Sequence, residues 1–504
     1  MTPEVNFETM TEFKPTPELN QARNFEIEHR TPADRQPAFH FTPAVGWMND
    51  PNGFSVYKKQ VHLFYQYHPY SNQWGPMHWG HQVSKDLIVW KQKPAALAPD
   101  QPFDKDGCFS GSAVESEQGH VLMYTGCANG KQNQCLAIGD GQNYAKFEAN
   151  PVLSQVNLPK GYSDVDFRDP KLWKTGTTWY LAAGILNPEK KGEVILFSSP
   201  NLKDWTFESI LLSFDGTNGK MLECPDVFLL DDQPMLICSP QNMHAQGYEF
   251  HNGHNSVYIP GRFNQSLESS RFFQKEARQL DYGLDFYAPQ TTLLEDGRRI
   301  LIGWMSSWNS PILCSRQNWT SQMTLPRELS FKQGKLIQKP IREIENWYKE
   351  TSHIDNVHLD GTFEDNRMSG RYLDATLQFS NPAHHFAIDL ACDENHKTTF
   401  TIDASKGWME MDRTYSGMEE DWVTVRKAAL PESGVDQLRI IMDLYSVEIF
   451  VNQGEMVLST VIPTLPQADR IVLHGQDENL TIDFHSMDVE KLHQEKLKND
   501  LDET

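Results

Sequence analysis

The sequence predicts an all-β protein: a five-bladed β-propeller followed by a β-sandwich, with a short helical segment at the N-terminus. Between residues 36 and 335, short apolar runs are separated by Gly, Pro, Asn and Asp, which is a strand-and-turn pattern. One plan of turn motif and paired strands occurs five times within this region. After residue 356 the pattern changes to evenly spaced alternating strands, as is typical of a sandwich.

The composition narrows the possible functions of the 504-residue chain. Its 45 Lys and Arg residues and 68 Asp and Glu residues give a formal charge of -23, and no basic patch is present, so we expect no nucleic-acid partner. The longest apolar runs are far shorter than the ~20 residues that a membrane helix needs, so no membrane partner is expected either. The opening residues lack a signal sequence and the seven cysteines are scattered, which predicts a cytoplasmic location.

The first 35 residues are polar and form an N-terminal extension. One helix is predicted in it, over Pro17–Arg30, with Thr16 as the N-cap. Its apolar residues lie roughly on one side: Leu19, Ala22, Phe25 and Ile27. That side is expected to pack against the rest of the protein.

The repeat fills residues 36–335. In each copy, a turn motif and a short apolar strand precede a tight turn and a strongly apolar strand. The strongly apolar strands start at His62, His120, Thr178, Pro234 and Arg299. Successive starts are therefore 58, 58, 56 and 65 residues apart. Five four-stranded units of this length predict a five-bladed propeller.

A short motif precedes each apolar hairpin. The five motifs are Asn49-Asp50-Pro51, Phe109-Ser110-Gly111, Arg168-Asp169-Pro170, Glu223-Cys224-Pro225 and Tyr287-Ala288-Pro289. Equivalent positions of a propeller converge on one mouth of its central channel. The repeat therefore predicts that Asp50, Asp169 and Glu223 meet at a single site.

The remainder of the chain is predicted in three parts. The stretch FKQGKLIQKPIREIENWYKE (Phe331–Glu350) is basic, polar and partly helical, which suits a linker over residues 336–355. Residues 356–490 contain the alternating strands of the sandwich. Residues 491–504 are a polar tail, and the polar stretch that begins at Val489 could also form a helix.

Three carboxylates around one pocket suit glycoside hydrolysis, in which one acts at the anomeric carbon and another protonates the leaving oxygen. Because like charges held close cannot all stay ionised, one of them is expected to have a raised pKa and to act as the acid. Each also has a structural interpretation: Asp50 lies in a good turn sequence, and Asp169 could pair with Arg168. Glu223 is a lone acid in an apolar stretch, where burial without a partner would be costly. Three acids at equivalent positions favour a function.

Other features of the sequence are less specific. Ten of the thirteen tryptophans precede residue 320 and could stack on sugar rings, although packing between sheets explains most single tryptophans. His62, His68, His78 and His81 match no metal-ligand spacing, and no glycine-rich phosphate loop is present. We therefore predict neither a metal nor a cofactor.

Ten motifs occur in order along the chain. They are HFTPAVGWMNDPNG (His40–Gly53), FYQYHP (Phe64–Pro69), WGPMHWGH (Trp74–His81), FSGSA (Phe109–Ala113), YTG (Tyr124–Gly126), FRDPK (Phe167–Lys171), ECPD (Glu223–Asp226), DFYAPQT (Asp285–Thr291), GWM (Gly303–Met305) and LPREL (Leu325–Leu329). Together they resemble glycoside hydrolase family 32, the invertase or β-fructofuranosidase family, from about residue 36 to 490. The combination of WMNDPNG, FRDP and ECP is highly specific.

The resemblance implies retaining hydrolysis of a β-fructofuranosyl bond on a propeller joined to a sandwich. Asp50 would attack C2 of fructose, Glu223 would be the acid and then the base, and Asp169 would hold ring hydroxyls and stabilise the transition state. The implied substrate-binding residues are Trp47, Asn49, Gln66, Trp74, Phe109, Ser110, Arg168, Tyr287 and Trp304. No metal or cofactor is implied.

The leaving group stays open, because these motifs are shared by sucrose hydrolases, sucrose-6-phosphate hydrolases, fructan hydrolases and fructosyltransferases. We expect a β-fructofuranosidase that acts on sucrose or short fructooligosaccharides, and sucrose-6-phosphate hydrolysis is the main alternative. A phosphate would need a nearby cation, for which Arg316 and Lys220 are candidates. A fructosyltransferase and a non-catalytic sugar-binding propeller are weaker alternatives, and a homo-oligomer is compatible with the sequence.

Overall fold

The computed structural model describes residues 13–214, 219–261, 276–308, 318–418 and 422–501. Twenty strands within these ranges form five antiparallel sheets. Blade 1 contains β1 (Gly46–Tyr57), β2 (Gln60–His68), β3 (His78–Ser84) and β4 (Trp90–Leu97). Blade 2 contains β5 (Gly107–Ser116), β6 (Gly119–Ala128), β7 (Lys131–Gly139) and β8 (Tyr144–Lys146). Blade 3 contains β9 (Phe167–Thr175), β10 (Thr178–Leu186), β11 (Gly192–Ser199) and β12 (Thr206–Ser213).

Two more blades complete the ring. Blade 4 contains β13 (Leu222–Leu230), β14 (Gln233–Pro240), β15 (Val257–Pro260) and β16 (Arg278–Gln279). Blade 5 contains β17 (Tyr287–Leu293), β18 (Arg299–Trp304), β20 (Arg327–Lys332) and β21 (Lys335–Pro340). The short strand β19 (Trp319–Thr320) pairs in parallel with β1. The innermost strands contact one another in a closed circle, from β1 through β5, β9, β13 and β17 back to β1. The predicted five-bladed propeller is thus confirmed.

A β-bulge interrupts each innermost strand at its sequence motif. The pairing register shifts between Met48 and Pro51, between Phe109 and Gly111, opposite Arg168–Lys171, between Glu223 and Asp226, and between Tyr287 and Gln290. Three of the bulged residues have left-handed backbone conformations: Asp169 (φ 63°), Cys224 (φ 49°) and Ala288 (φ 48°). A bulge bends its strand and re-aims the side chains around it. The repeated motif is therefore a repeated bulge at one mouth of the channel.

The C-terminal region is the predicted sandwich. Its strands are β22 (Tyr348–Phe363), β23 (Leu373–Phe379), β24 (His385–Cys392), β25 (Thr398–Asp403), β26 (Trp408–Asp412), β27 (Val425–Ala429), β28 (Gln437–Asp443), β29 (Ser446–Val451), β30 (Met456–Val461) and β31 (Arg470–Met487). The long strand β31 pairs with β24 through its first half and with β23 through its second half. It therefore joins the two layers, whose apolar side chains, including Phe400 and Ile449, form one buried core.

The segments outside the two large units differ in part from the sequence predictions. The N-terminal helix α1 (Pro17–His29) is capped by Thr16 as predicted, but Ile27 is 78% exposed and Glu26 is buried instead. Glu26 is buried because its carboxylate accepts a hydrogen bond from the Ala95 backbone at the edge of blade 1. A membrane-crossing helix, long and apolar throughout, is not found in the described ranges.

The predicted linker and tail both carry regular structure. Within residues 336–355, β21 completes blade 5, a 3-10 helix follows over Arg342–Trp347, and β22 starts at Tyr348. The connection between the two units is therefore shorter than the predicted linker. The end of the chain forms helix α2 (Val489–Leu501).

Candidate active site

A cavity of about 410 Å³ opens at the mouth of the channel where the bulges lie. The described residues that line it are Asn49, Asp50, Gln66, Trp74, Phe109, Ser110, Gln132, Asp166, Arg168, Asp169, Glu223, Gln241, His254 and Trp308. Asp50, Asp169 and Glu223 come from β1, β9 and β13, so three blades each contribute one acid. The repeat thus brings together the three carboxylates that are far apart in the sequence.

Asp50 accepts hydrogen bonds from two neutral side chains. Asn49 Nδ2 lies 3.1 Å from Asp50 Oδ1, and Ser110 Oγ lies 3.0 Å from Asp50 Oδ2. The Cys224 thiol lies 3.7 Å from the same Oδ2. Trp47 supports this arrangement from behind, because its indole N–H donates to Asn49 Oδ1 at 2.8 Å. Among the described residues, Asp50 is therefore oriented by dipoles and not by a cation.

Asp169 is fixed by its backbone as well as by its side chain. Its N–H donates to Thr125 Oγ1 at 2.9 Å, and Thr125 is fully buried on the neighbouring blade. The Asp169 carboxylate accepts from the backbone N–H of Cys224 at 3.0 Å. A left-handed backbone costs a non-glycine residue about 1–3 kcal/mol. These contacts, made to blades 2 and 4, hold Asp169 in that conformation.

Glu223 is paired with a cation. Arg168 Nε and one terminal nitrogen of its guanidinium lie 3.0 and 2.8 Å from Glu223 Oε1. The Tyr287 hydroxyl donates to Glu223 Oε2 at 2.6 Å. Arg168 also lies 4.0 Å from the carboxylate of Asp169, so its charge is shared between both acids.

These surroundings separate the pKa values of the acids. Burial raises the pKa of Asp50 to about 6, and the negative charge of Glu223 adds to the shift. Burial likewise raises the pKa of Asp169, although the charge of Arg168 opposes the effect. Burial would also raise the pKa of Glu223, but Arg168 and the Tyr287 hydroxyl outweigh it and lower the pKa.

The sequence predicts a general acid with a raised pKa. In this cavity the raised pKa values belong to other acids. The resemblance gives the acid role to Glu223, whereas the pKa is raised for Asp50 and Asp169. The physical reason is the ion pair between Arg168 and Glu223. The sequence had suggested that Arg168 could pair with Asp169 instead.

Aromatic side chains form part of the rim and wall. Trp74 is 50% exposed and meets Phe109 edge to face, with ring centroids 6.2 Å apart. Trp308 stacks on Trp47 at 6.3 Å. Trp304 is fully buried behind them, where its indole N–H donates to Ser321 Oγ. Trp308 therefore supplies the exposed face of a tryptophan cluster.

Below the acids, side chains tie the five innermost strands to one another. Asn52 accepts from the Gly111 backbone, Ser112 bonds the Pro170 and Leu172 backbones, Lys171 donates to Asp226, Asp226 accepts from the Thr291 backbone, and Gln290 accepts from the Phe54 backbone. Each contact joins neighbouring blades, so the contacts close a circle around the channel. This circle forms a rigid floor beneath the acids.

Most of the predicted site residues line the cavity. They are Asp50, Asp169, Glu223, Asn49, Gln66, Trp74, Phe109, Ser110 and Arg168. Trp47, Tyr287 and Trp304 lie behind the lining and contact it. Sequence reasoning missed Gln132, Asp166, Gln241, His254 and Trp308. Asp166 could have been suspected, since it lies two residues before Arg168 and accepts a hydrogen bond from it, whereas the contact of Gln132 with Arg168 spans 36 residues and has no sequence signal.

The candidates for a phosphate-binding cation gain no support. Lys220 is exposed and does not belong to the described lining, and Arg316 lies outside the described residues. Arg168 is the cation that lines the described part of the cavity, and its guanidinium already contacts Glu223, Gln132 and Asp166.

A propeller with three acids at one channel mouth has the carboxylates that glycoside hydrolysis needs. Comparison with known proteins gives the family: residues 40–340 match the glycosyl hydrolases family 32 N-terminal domain, and residues 343–491 match the family 32 C-terminal domain. The chain belongs to glycoside hydrolase family 32, and it is a retaining O-glycosyl hydrolase of the β-fructofuranosidase type.

Named relatives cover nearly the whole chain. A sucrose-6-phosphate hydrolase of Escherichia coli is 38% identical over 87% of this chain and 91% of its own length. A raffinose invertase of Escherichia coli is 38% identical over 86% and 90%. The solved structure of a family 32 β-fructofuranosidase of Bombyx mori is 34% identical, covers 93% of this chain and 97% of its own, and has a TM-score of 0.81.

Proposed function

We propose that this enzyme hydrolyses the β-fructofuranosyl bond of sucrose by double displacement, with Asp50 as nucleophile and Glu223 as acid and base. The observation that supports this most is the convergence of Asp50, Asp169 and Glu223, from three blades, on one cavity. A variant of the Bombyx mori relative has been solved in complex with sucrose.

In the first step, an Asp50 oxygen attacks C2 of the fructosyl unit while the bond from C2 to the glucosyl oxygen breaks. Glu223 gives its proton to that oxygen, so glucose leaves as a neutral alcohol. The Ser110 and Asn49 contacts keep Asp50 in one orientation, and their donors carry no full charge that would weaken its nucleophilicity.

In the second step, the ionised Glu223 takes a proton from a water molecule, which attacks C2 and displaces Asp50. Fructose is released with its original configuration, and Glu223 is protonated again. Asp169 accepts hydrogen bonds from fructosyl hydroxyls and stabilises the positive charge that develops at C2. When Asp169 is ionised, its charge is only partly neutralised, because Arg168 lies 4.0 Å from it and contacts Glu223 more closely, at 2.8 Å.

The Arg168–Glu223 pair must loosen before Glu223 can act as an acid. In the unliganded cavity this pair keeps Glu223 ionised. Sugar hydroxyls that accept hydrogen bonds from Arg168 would compete with Glu223 for its guanidinium. Glu223 would then take up a proton more readily. Substrate binding would thus set the protonation state that the first step requires.

Sucrose-6-phosphate is the second candidate substrate, because several relatives carry that name, including the one from Escherichia coli. The cavity charge favours unphosphorylated sucrose, since four carboxylates (Asp50, Asp166, Asp169 and Glu223) line the described part beside Arg168. A phosphate group would be repelled by them unless a further cation lies close.

The deciding experiment measures kcat/KM for fructose release from sucrose, sucrose 6-phosphate and 1-kestose. We expect sucrose to rank first. Proton NMR of the nascent product should detect β-fructose before mutarotation, as retention requires. No release from any of the three would refute the proposal, and faster release from sucrose 6-phosphate would change the substrate but not the chemistry. The cytoplasmic location and the homo-oligomer stay predictions.

A further inference from the structure

A second cavity, of about 480 Å³, lies at the other end of the propeller channel. All five innermost strands line it, at positions three to four residues after the middle residue of each motif: Phe54, Ala113, Leu172, Val227 and Thr291. Since a strand advances ~3.3 Å per residue, these positions lie about 10–13 Å farther along the channel than the acids. We call this the far cavity.

Arg299 in the far cavity has a positive charge without an ion-pair partner. Within the part of the chain that the structure describes, no carboxylate oxygen lies within 4.0 Å of its guanidinium. One terminal nitrogen donates to Thr291 Oγ1 at 3.1 Å, and the guanidinium carbon lies 4.6 Å from the Phe228 ring centroid. The Nε–H is buried and has no hydrogen-bond acceptor.

The nearest acid is already in use. Asp226 accepts a hydrogen bond from Lys171 Nζ at 3.1 Å and another from the Thr291 backbone at 2.7 Å. Lys171 also donates to the Thr291 carbonyl. Glu115, the acid of the described lining, is exposed and accepts only a long 3.5 Å contact from the Lys58 backbone. The charge of Asp226 acts on Arg299 as well as on Lys171. One carboxylate therefore faces two cations, and the floor of the far cavity keeps a net positive charge.

Arg299 is half-buried, and its buried Nε–H is an unsatisfied donor, which is costly; a cation–π contact offsets only about 0.5–2 kcal/mol. An anion that accepts from Arg299 would remove this penalty with a charge-assisted hydrogen bond. The walls around Arg299 are apolar, with Val56, Val114, Trp173 and Leu293 among them. A fitting ligand therefore joins an anionic group to an apolar body.

We propose that the far cavity binds a small organic anion, a carboxylate or a phosphate monoester on an apolar body, whose charged group pairs with Arg299. This site is separate from the catalytic cavity, and its ligand is not the substrate. One end of the channel would thus bind the anion, and the other end would perform the hydrolysis.

The test titrates the full-length enzyme with 4-phenylbutyrate, phenyl phosphate and the neutral 4-phenylbutanol by isothermal calorimetry. We expect at least one anion to bind and the alcohol to bind at least tenfold more weakly. The result for the two anions separates carboxylate from phosphate recognition. No binding of either anion at millimolar concentration, or equal binding of the alcohol, would overturn the proposal.

Two variants test the role of Arg299. Arg299→Gln should weaken anion binding at least tenfold and leave sucrose turnover within twofold, because Arg299 is remote from the acids. Leu229→Glu is a second variant at a half-exposed wall position. It adds a competing carboxylate and should also weaken binding, without disturbing buried packing. Unchanged affinity in both variants would place the anion elsewhere and refute the site.

Discussion

Asp50 in the catalytic cavity and Asp443 at the boundary between propeller and sandwich are aspartates with opposite surroundings. Asp443 is fully buried and accepts from the backbone N–H groups of Ala38, Phe39, His40 and Leu444. The His40 ring adds a hydrogen bond at 2.9 Å. Burial would raise the pKa of Asp443, but these donors outweigh it and lower the pKa to about 2.

The contrast extends to the neighbouring groups. At the boundary, Glu448 pairs with His40 and Arg327, which together outweigh its burial and lower its pKa. In the cavity, Asp50 has neutral donors and a second acid nearby. At the boundary, donors and cations fully offset the cost of burying the carboxylate charges, and these acids hold the two units together. In the cavity that cost is only partly offset, which leaves Asp50 basic enough to attack carbon. The same residue type thus serves structure or chemistry according to its donors.

The largest expected effect comes from Asp50→Asn. This change should lower kcat on sucrose by about 10³–10⁵-fold, because the nucleophile is lost. The melting temperature should stay the same or rise, since a buried charge next to Glu223 is removed. Steady-state kinetics and calorimetry measure both quantities. Near-normal turnover, or a large loss of stability, would break the contrast with Asp443.

Asp443→Asn should have the reverse effect. It leaves His40 with a single acidic partner and replaces the carboxylate that accepts from four backbone N–H groups by a weaker, neutral acceptor. This should cost about 3–5 kcal/mol of unfolding free energy. The turnover of the folded fraction should stay within about twofold, because Asp443 is remote from the cavity. Urea unfolding and titrated active enzyme give the two numbers. A variant as stable as the parent would show that the boundary acids are dispensable.

Much of this contrast could not be predicted from the sequence. Asp50, Asp169 and Glu223 were placed together because repeat position determines where a side chain lies in a propeller. The partner of Arg168 was not predictable, because the repeat places Arg168 near both Asp169 and Glu223 and does not decide which of them its guanidinium binds. Nothing near Asp443 in the sequence shows that residues 38–40 will supply its donors.

The errors have the same origin. Trp304 and Trp308 are both plausible wall residues in the sequence, and only packing shows that Trp304 is buried while Trp308 faces the cavity. In α1, amphipathic spacing favours burial of Ile27, but the edge strand of blade 1 offers a backbone N–H that a carboxylate can accept. Packing decided the first case and a long-range polar contact the second, and neither has a sequence period.

The boundary should respond to pH in the alkaline range. Burial alone would lower the pKa of His40, but Asp443 and Glu448 outweigh it and raise the pKa from the ordinary value of 6.5 to about 9. The stabilisation from protonated His40 is therefore complete below about pH 6.5 and is lost as the pH rises through 9. A shift of this size corresponds to about 3 kcal/mol.

Urea unfolding between pH 6 and 10 measures this loss. The parent enzyme should lose about 3 kcal/mol relative to His40→Gln over that range, since glutamine does not titrate. If the difference between the two proteins is constant with pH, His40 is not the titrating group.

The smallest expected effect concerns Tyr287→Phe in the cavity. The Tyr287 hydroxyl stabilises ionised Glu223, so its removal should raise the pKa of Glu223 and extend the protonated form to higher pH. The alkaline limb of kcat, which reports Glu223 in the substrate complex, should move upward by up to about one pH unit. The acid limb of kcat, which needs ionised Asp50, should stay in place or fall slightly. Tyr124→Phe is the matched control, because it removes a buried hydroxyl that donates to Asp104 away from the cavity. A shift of the same size in the control, or a downward shift in Tyr287→Phe, would show that Tyr287 does not set the proton affinity of Glu223.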